Sequence, residues 1–234
     1  MNKLIVVTGA TKGIGKAVAE RFAQEGFDVI ACARGAEGLL VLKEELEKKY
    51  QVRVQVQTVD MAKREAVEKF AAFILALGRT VDVLVNNAGY FIPGALMDEP
   101  EGTLESMIGG NLYSAYYMTR GVGGLMKTHQ QGHIFNMCSI ASIQAYPNGG
   151  SYAISKFAML GFSKCLREEL KPFNIRVTAV LPGATRTASW DGTDLPDERF
   201  IPAEDVAETM FAAYKLSNRS VIEEILIRPQ LGDI

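Results

Sequence analysis

The chain has few residues of the kinds that cross-link a protein or hold a metal ion. Among its 234 residues are three cysteines and two histidines. The cysteines Cys32, Cys138 and Cys165 lack the close pairing of a metal site, and their odd number suits a reducing compartment. Cys138 is expected to be a buried strand thiol rather than a nucleophile, and we assign no chemistry to His129 or His133. No metal site is expected.

Long apolar runs and an excess of charge of one sign are also absent from the sequence. No apolar stretch approaches the ~20 residues that span a bilayer, and the run at 4–7 is too short for a signal peptide. The formal net charge is −2, which gives no basic footprint for nucleic acid. Because 48% of the residues are hydrophobic, the chain can bury one sizeable core. We expect a cytoplasmic protein without nucleic-acid or membrane partners.

Short apolar segments that alternate with helical segments predict the fold. Continuous Val, Ile and Leu runs are typical of parallel strands covered on both faces. Strands are expected near 3–8, 27–33, 52–59, 82–86, 132–138, 174–181 and 221–228. Helices are expected near 14–25, 36–50, 62–77, 103–128, 151–171 and 202–216. The pattern predicts one α/β domain over 1–234, with a doubly wound, seven-stranded parallel sheet.

A glycine-rich turn connects the first strand to the first helix. Gly9, Gly13 and Gly15 would let the backbone approach a pyrophosphate, whose charge is favoured at a helix N-terminus. The Gly-Lys pair in this turn invites a P-loop interpretation. However, Ala17 stands where that motif has the Ser or Thr that holds magnesium, and the preceding glycine is one position too far back. The turn therefore predicts a dinucleotide site and not a kinase or ATPase.

Tyr152 and Lys156 are four positions apart, so on a helix their side chains project from the same face. A cation beside a phenol favours the phenolate, which would lower the tyrosine pKa from ~10 toward a range useful for proton transfer. Ser139 could hold a carbonyl oxygen while charge builds on it. The alternative is an aromatic packing residue beside a solvated lysine.

Two more strand ends carry turn residues, at 87–89 (Asn-Ala-Gly) and at 182–187 (Pro-Gly-Ala-Thr-Arg-Thr). Either segment could be an ordinary turn, since Asn, Gly and Pro are favoured there for conformational reasons. Both nevertheless follow strand C-termini, where open parallel α/β sheets bind ligands. Position therefore favours a binding role.

Taken together, these motifs resemble the short-chain dehydrogenase/reductase family over nearly the full length of the chain. The resemblance implies a Rossmann-type fold and an NAD(P)-dependent oxidoreductase acting on CH–OH or C=O groups. It implies that Tyr152 is the general acid/base and that Asn111 holds a water in a proton relay from Lys156. Ser142 lies close in sequence, but Ser139 has the family's spacing to the tyrosine. The implied catalytic tetrad is Asn111, Ser139, Tyr152 and Lys156.

The same resemblance implies a set of cofactor contacts. The glycine turn would bind the pyrophosphate, Asp60 would meet the adenine, and Lys156 would bind the nicotinamide ribose. Thr185 and Thr187 would hold the carboxamide. The expected cofactor-binding residues are Gly9, Thr11, Lys12, Gly13, Ile14, Gly15, Arg34, Asp60, Met61, Asn87, Ala88, Gly89, Tyr152, Lys156, Pro182, Gly183, Thr185 and Thr187.

Charge at the end of the second strand predicts the choice of cofactor. An acid about 20 residues past the glycine turn would bind the ribose 2′-hydroxyl of NAD, whereas an arginine accommodates a 2′-phosphate. Here the strand ends in Arg34 with no acid, and Lys12 lies within the turn. NADP(H) is therefore predicted over NAD(H). The alternative is that both are ordinary solvated cations.

The substrate is expected to be a small carbonyl compound with a hydrophobic or aromatic body. The segment 184–201 has loop composition and would form a short lid. Phe91, Tyr146, Trp190 and Phe200 could line an apolar cavity, or they could equally be packing residues.

Two other functions remain open at this point. A 3-oxoacyl carrier-protein reductase would need a basic docking patch, for which Arg120, Lys127 and Lys171 are a weak candidate. A non-catalytic NADP-binding sensor is the other, although the complete tetrad argues against it.

Assembly as a homodimer or homotetramer is expected. The helices around 103–128 and 151–171 could form a dimer interface, whereas residues 220–234 lack the glycine-rich ending common in tetrameric relatives. Gly109 and Gly110 weaken the first of these helices by ~1 kcal/mol each relative to alanine, so we expect a bend there.

Overall fold

The computed structural model describes residues 1–187, 190 and 192–234 of the chain. Within them, strands alternate with helices along nearly the whole sequence. The strands are β1 (Leu4–Thr8), β2 (Asp28–Ala33), β3 (Val54–Thr58), β4 (Val83–Asn86), β5 (Gly132–Met137), β6 (Ile175–Pro182) and β7 (Glu224–Ile227). The α-helices are α1 (Gly13–Gln24), α2 (Ala36–Tyr50), α3 (Arg64–Ala76), α4 (Thr103–Ile108), α5 (Ser114–His129), α6 (Gly150–Leu170) and α7 (Ala203–Lys215).

The strands form one parallel sheet in the order β3-β2-β1-β4-β5-β6-β7. The winding reverses between β1 and β4, and this switch point opens a crevice at the carboxyl ends of the strands. The predicted α/β fold with a seven-stranded parallel sheet is confirmed, and each predicted strand lies within three residues of its observed position.

Burial follows the position of each strand in the sheet. Every residue of β1, β2 and β4 is buried, whereas the edge strands β3 and β7 expose part of their residues. Buried side chains of α1, α2 and α7 pack on one face of the sheet, and those of α3, α5 and α6 pack on the other. Among the described residues, every helix is too short or too polar to serve as a membrane span.

The helical segment predicted at 103–128 is interrupted by a π-helical turn over Gly109–Tyr113. A Cβ on Gly110 would lie 2.3 Å from Cε1 of Tyr90, so the ring of Tyr90 requires glycine here. The prediction of one continuous α-helix is therefore wrong, and the expected bend at the glycine pair stays a prediction. The π turn buries Asn111 directly after the glycines, and such turns are frequent at functional sites.

Three residues of the predicted lid at 184–201, Ala188, Ser189 and Asp191, lie outside the described residues. Its two ends are joined by an isolated bridge between Thr185 and Ile201. Trp190 meets Phe200 edge-on, with ring centroids 5.2 Å apart. Two of the four predicted cavity aromatics therefore pack against each other. Phe200 also borders a cavity of ≈ 460 Å³ that extends to the glycine turn at Gly13.

Candidate active site

Close packing of the backbone requires glycine at two positions of the turn after β1. Gly9 has a φ of +69°, which favours glycine, and a Cβ on Gly15 would lie 2.3 Å from the carbonyl oxygen of Gly9. Side chains are therefore excluded on sterics at both positions. The N-terminus of α1 follows directly, with no acidic residue in its first turn. These residues fit the pyrophosphate of a dinucleotide.

Two side chains join this turn to the end of β4 across the switch point. Asn87 Nδ2 donates to the carbonyl oxygens of Thr8 and Gly9, both at 2.9 Å. Thr8 Oγ1 accepts from the backbone N–H groups of Asn87 and Ala88 at 3.0 Å. The 87–89 segment thus holds the glycine turn in place. The role of the Thr8 hydroxyl was not predicted, because nothing in the sequence relates residue 8 to residue 87.

Ser139 and Tyr152 are brought together by the loop after β5 and the first turn of α6. Ser139 Oγ accepts from the Ala141 N–H at 3.1 Å, which fixes the serine as the cap of a short 3₁₀ turn. The Ser139 hydroxyl also hydrogen-bonds the Tyr152 phenol, which by itself lowers the phenol pKa. Ser142 instead uses its hydroxyl to accept from the Ser139 N–H.

Burial reverses the pKa shift that the sequence predicts for Tyr152. Desolvation of the phenol outweighs the Ser139 hydrogen bond, so the pKa of Tyr152 is raised above its ordinary value of 10.0. The expectation of a lowered pKa counted the neighbouring cation and neglected desolvation of the phenolate. In this state Tyr152 is a neutral phenol at physiological pH and can donate a proton.

Lys156 is buried beside Tyr152, one turn further along α6. Its Nζ lies 5.6 Å from the centroid of the Tyr152 ring and donates to the carbonyl oxygen of Met137 at 2.7 Å. Burial lowers the pKa of Lys156 to about 8. The ammonium can therefore lose its charge near the top of the physiological pH range.

Asn111 is buried next to these groups, and its side chain links the backbone of Tyr90 to Ser155 on α6. Its Oδ1 accepts from the Tyr90 N–H at 2.8 Å, and its Nδ2 donates to the Tyr90 carbonyl and to Ser155 Oγ at 3.0 and 2.9 Å. A Cβ on Gly89 would lie 2.8 Å from Asn111 Oδ1 and 3.8 Å from Lys156 Nζ. The four predicted tetrad residues thus converge on one site; the water relay stays a prediction.

The predicted NADP cations lie at the same edge of the sheet. Arg34 follows the last residue of β2, and Lys12 precedes α1; both side chains are exposed. Neither forms an ion pair with any described residue, in contrast to Lys16, which pairs with Glu45 at 2.7 Å. Both are therefore available to a phosphate.

Other predicted cofactor residues are engaged within the protein. Asp60 Oδ1 accepts from the Ala62 N–H at 3.1 Å, and Met61 is buried with its sulfur 3.6 Å from Cys32 Sγ. At the end of β6, Thr185 Oγ1 donates to the carbonyl oxygen of Gly183 at 3.1 Å. These contacts shape the walls of the crevice.

The mouth of the site is apolar. The ring of Phe91 contacts that of Tyr152, with centroids 4.9 Å apart. Burial, with a smaller contribution from Tyr152, raises the pKa of Tyr146 to about 12, so this second phenol is neutral and close to the first. Exposed apolar side chains on the same two loops continue the surface: Ile92, Leu96, Met97 and Ile143. Of the four predicted aromatics, Phe91 and Tyr146 thus lie beside Tyr152.

Two of the three residues of the candidate basic docking patch, Lys127 and Lys171, lie away from this mouth. Lys127 is in the last turn of α5, just before β5 begins, and Lys171 lies just before β6 begins. Both therefore lie at the edge formed by the amino ends of the strands, whereas α6 begins at the opposite edge. Arg120 stacks over Tyr116.

Two other buried titratable groups, Cys138 and His133, are not activated for catalysis. Cys138 is buried, and burial raises its pKa, so the thiol is not an activated nucleophile. His133 is buried with Nε2 2.7 Å from Thr178 Oγ1, and burial holds its pKa well below the ordinary value. No group of three or more potential His, Cys, Asp or Glu metal ligands occurs in the described part of the chain.

Comparison with known proteins agrees with this geometry. The family model described as short chain dehydrogenase matches residues 3–196. The chain is 32% identical to sepiapterin reductase from Chlorobaculum tepidum over 243 residues, covering 100% of this chain and 99% of that protein. Alcohol dehydrogenase from the archaeon Thermococcus sibiricus, complexed with 5-hydroxy-NADP, gives a TM-score of 0.92 at 28% identity over 98% and 97% of the two chains. L-sorbose reductase from Gluconobacter frateurii, complexed with NADPH and L-sorbose, gives 0.90 at 28% identity over 97% and 95%.

Proposed function

The chain belongs to the short chain dehydrogenase family and is an oxidoreductase, and we propose that it reduces a ketone or aldehyde with NADPH. In reverse it would oxidise a secondary or primary alcohol. The observation that carries the proposal is the convergence of Ser139, Tyr152 and Lys156 beside the glycine turn. A phosphate-binding turn and a buried proton donor at one sheet edge suit hydride transfer coupled to protonation.

Each side chain has a distinct part in this proposal. When bound, NADPH would supply the hydride that adds to the carbonyl carbon. Tyr152 donates its phenolic proton to the carbonyl oxygen, which balances the added hydride and yields the alcohol. The Ser139 hydroxyl donates a hydrogen bond to the same oxygen as negative charge develops on it. Lys156 then stabilises the phenolate that Tyr152 becomes.

NADP(H) is proposed over NAD(H) on the basis of two unpaired cations. Arg34 and Lys12 flank the place where the 2′-phosphate of the adenine ribose would bind. The structural relatives from Thermococcus sibiricus and Gluconobacter frateurii hold an NADP derivative and NADPH. Both observations favour a phosphorylated cofactor.

The proposed substrate is a small carbonyl compound with an aromatic or hydrophobic body. Phe91 and Tyr146 border the phenol, and the exposed apolar side chains around them suit a flat, weakly polar ligand. Because the Chlorobaculum tepidum relative is named a sepiapterin reductase, pterin ketones belong in any screen.

An acyl carrier protein is a poorer partner for this mouth. Asp98, Glu99 and Glu101 lie on the loop that forms one wall, and this acidic charge would repel an acidic carrier. Lys127 and Lys171, two of the three basic residues that could recruit such a carrier, lie at the opposite edge of the sheet. We also propose a cytoplasmic, single-domain enzyme. Its dimer would form through exposed apolar side chains of α5 and α6, among them Tyr116 and Phe157.

A substrate screen tests the proposal. Purified protein with NADPH is mixed with diketones, aromatic aldehydes, pterin ketones or acyl thioester analogues, and loss of reduced-cofactor absorbance is followed. Turnover of at least one ketone or aldehyde is expected. Protein that binds NADPH tightly yet reduces no compound would support a sensor instead.

A further inference from the structure

The catalytic helix α6 begins without a capping side chain of its own. Its N-cap residue is Gly149, and its first turn holds no acidic residue. The N–H groups that open a helix need acceptors, and their partial positive charge favours an anion. Tyr152 lies within this first turn. Whatever fixes the turn therefore bears on the position of the proposed acid.

Glu99 supplies the acceptor from a loop that lies 52 positions before Ser151. Ser151 Oγ donates to Glu99 Oε1, and the Ser151 backbone N–H donates to Glu99 Oε2 at 3.4 Å. The Glu99 side chain is half-buried. Both carboxylate oxygens are thus engaged at the positive end of the helix.

The backbone beside Glu99 is also joined to the start of α6. The Gly94 N–H donates to the Asn148 carbonyl at 3.1 Å, and Gly94 pairs with Gly149 in an isolated parallel bridge. A Cβ on Gly150 would lie 2.7 Å from the Gly94 carbonyl oxygen and 3.0 Å from Glu99 Oε2. The loop and the helix start are therefore packed too closely for any side chain at position 150.

We propose that Glu99 is a positioning residue for Tyr152. Its carboxylate fixes the first turn of α6 against the loop that also carries Phe91, whose ring contacts that of Tyr152. The proposal rests on the proposed carbonyl reduction. Lys156 is held independently by Met137, so loss of the carboxylate is expected to displace the phenol and to leave the cofactor site intact.

Kinetics of three variants test this role. Glu99→Ala is expected to lower kcat about tenfold, because misplacing a reacting group by a fraction of an ångström is costly. The Kd for NADPH, measured by fluorescence titration, is expected to stay within about twofold. Glu99→Gln retains the acceptor and should recover much of the loss. Glu101→Ala is the matched control, since Glu101 is exposed on the same loop and has no hydrogen bond or ion pair with any described residue.

Amide hydrogen exchange provides a readout that needs no substrate. Peptides covering 149–156 should exchange faster in Glu99→Ala than in the wild type or in Glu101→Ala, because the first turn of α6 frays. If the wild type reduces no carbonyl compound, the proposed function fails, while the exchange comparison still tests the cap.

Three results would overturn the proposal. Unchanged exchange at 149–156 would show that the carboxylate does not hold the turn. A wild-type kcat in Glu99→Ala would show that the turn does not position the acid. Parallel losses of kcat, NADPH affinity and melting temperature would show a general folding defect.

Discussion

The ring of Phe91 meets the ring of Tyr152 edge-on, with the centroids 4.9 Å apart. Phe91 lies two residues beyond the 87–89 segment that clamps the glycine turn, and Tyr152 lies in the first turn of α6. One short loop therefore connects the dinucleotide end of the crevice with the proton donor. An aromatic pair of this kind contributes ~0.5–1.5 kcal/mol beyond the area it buries.

Replacing Phe91 tests whether this ring belongs to the substrate site. Phe91→Ala is expected to raise KM several-fold for aromatic carbonyls and less for small aliphatic ones, because the wall of the mouth is lost. The Kd for NADPH should not change. Leu216→Ala, an exposed apolar residue just past α7, is the control. Equal KM values for every substrate in the two variants would remove Phe91 from the site.

Cofactor preference is tested by reversing the charge at two positions. Arg34→Asp combined with Lys12→Ala is expected to raise the KM for NADPH far more than that for NADH, because the 2′-phosphate loses its cations. Lys48→Ala in the last turn of α2 serves as the control for a lost surface charge. An equal effect on both cofactors would contradict the assignment.

Lys156 is expected to set the pH dependence of the free enzyme. Burial lowers its pKa from 10.5 to about 8, so the ammonium is charged below pH 8 and neutral above it. We expect kcat/KM for NADPH to fall as the pH rises through about 8. The arginine in Lys156→Arg stays charged over this pH range, so the residual activity of the variant should not fall as the pH rises through about 8. A descending limb at the same pH in both proteins would assign it to another group.

Two glycines on α5, Gly121 and Gly124, allow a matched comparison of how alanine substitution changes the stability of the fold. A Cβ on Gly121 would lie 2.4 Å from Cβ of Ala71 on α3, whereas a Cβ on Gly124 would meet nothing within 4 Å. Gly124→Ala should stabilise the fold by ~0.5–1 kcal/mol through its higher helix propensity. Gly121→Ala should destabilise it by ~1–3 kcal/mol through overpacking. Urea unfolding midpoints measure both, and shifts of the same sign would contradict the helix contact.

The sequence predicts the sheet well because the information is local. Continuous apolar runs mark the strands, and the four-residue spacing of Tyr152 and Lys156 places them on one helix face. Ser139 could be predicted through the family's spacing to Tyr152. These features need only neighbours along the chain.

What the sequence does not predict depends on residues distant along the chain. The Glu99 contact with Ser151 spans 52 positions, and no local pattern marks it. The pKa of Tyr152 rises instead of falling because desolvation depends on the packed fold. The π turn that contains Asn111 lies where Gly110 contacts the ring of Tyr90, a residue that is 20 positions away along the chain.

The central claim is that the Tyr152 phenol delivers the proton that completes reduction. Tyr152→Phe removes one oxygen atom and keeps the ring that packs on Phe91. With a carbonyl compound that the wild type reduces, we predict that this variant binds NADPH with a Kd within about twofold of wild type and loses at least ~10²-fold in kcat. Turnover at the wild-type rate by Tyr152→Phe would contradict the account.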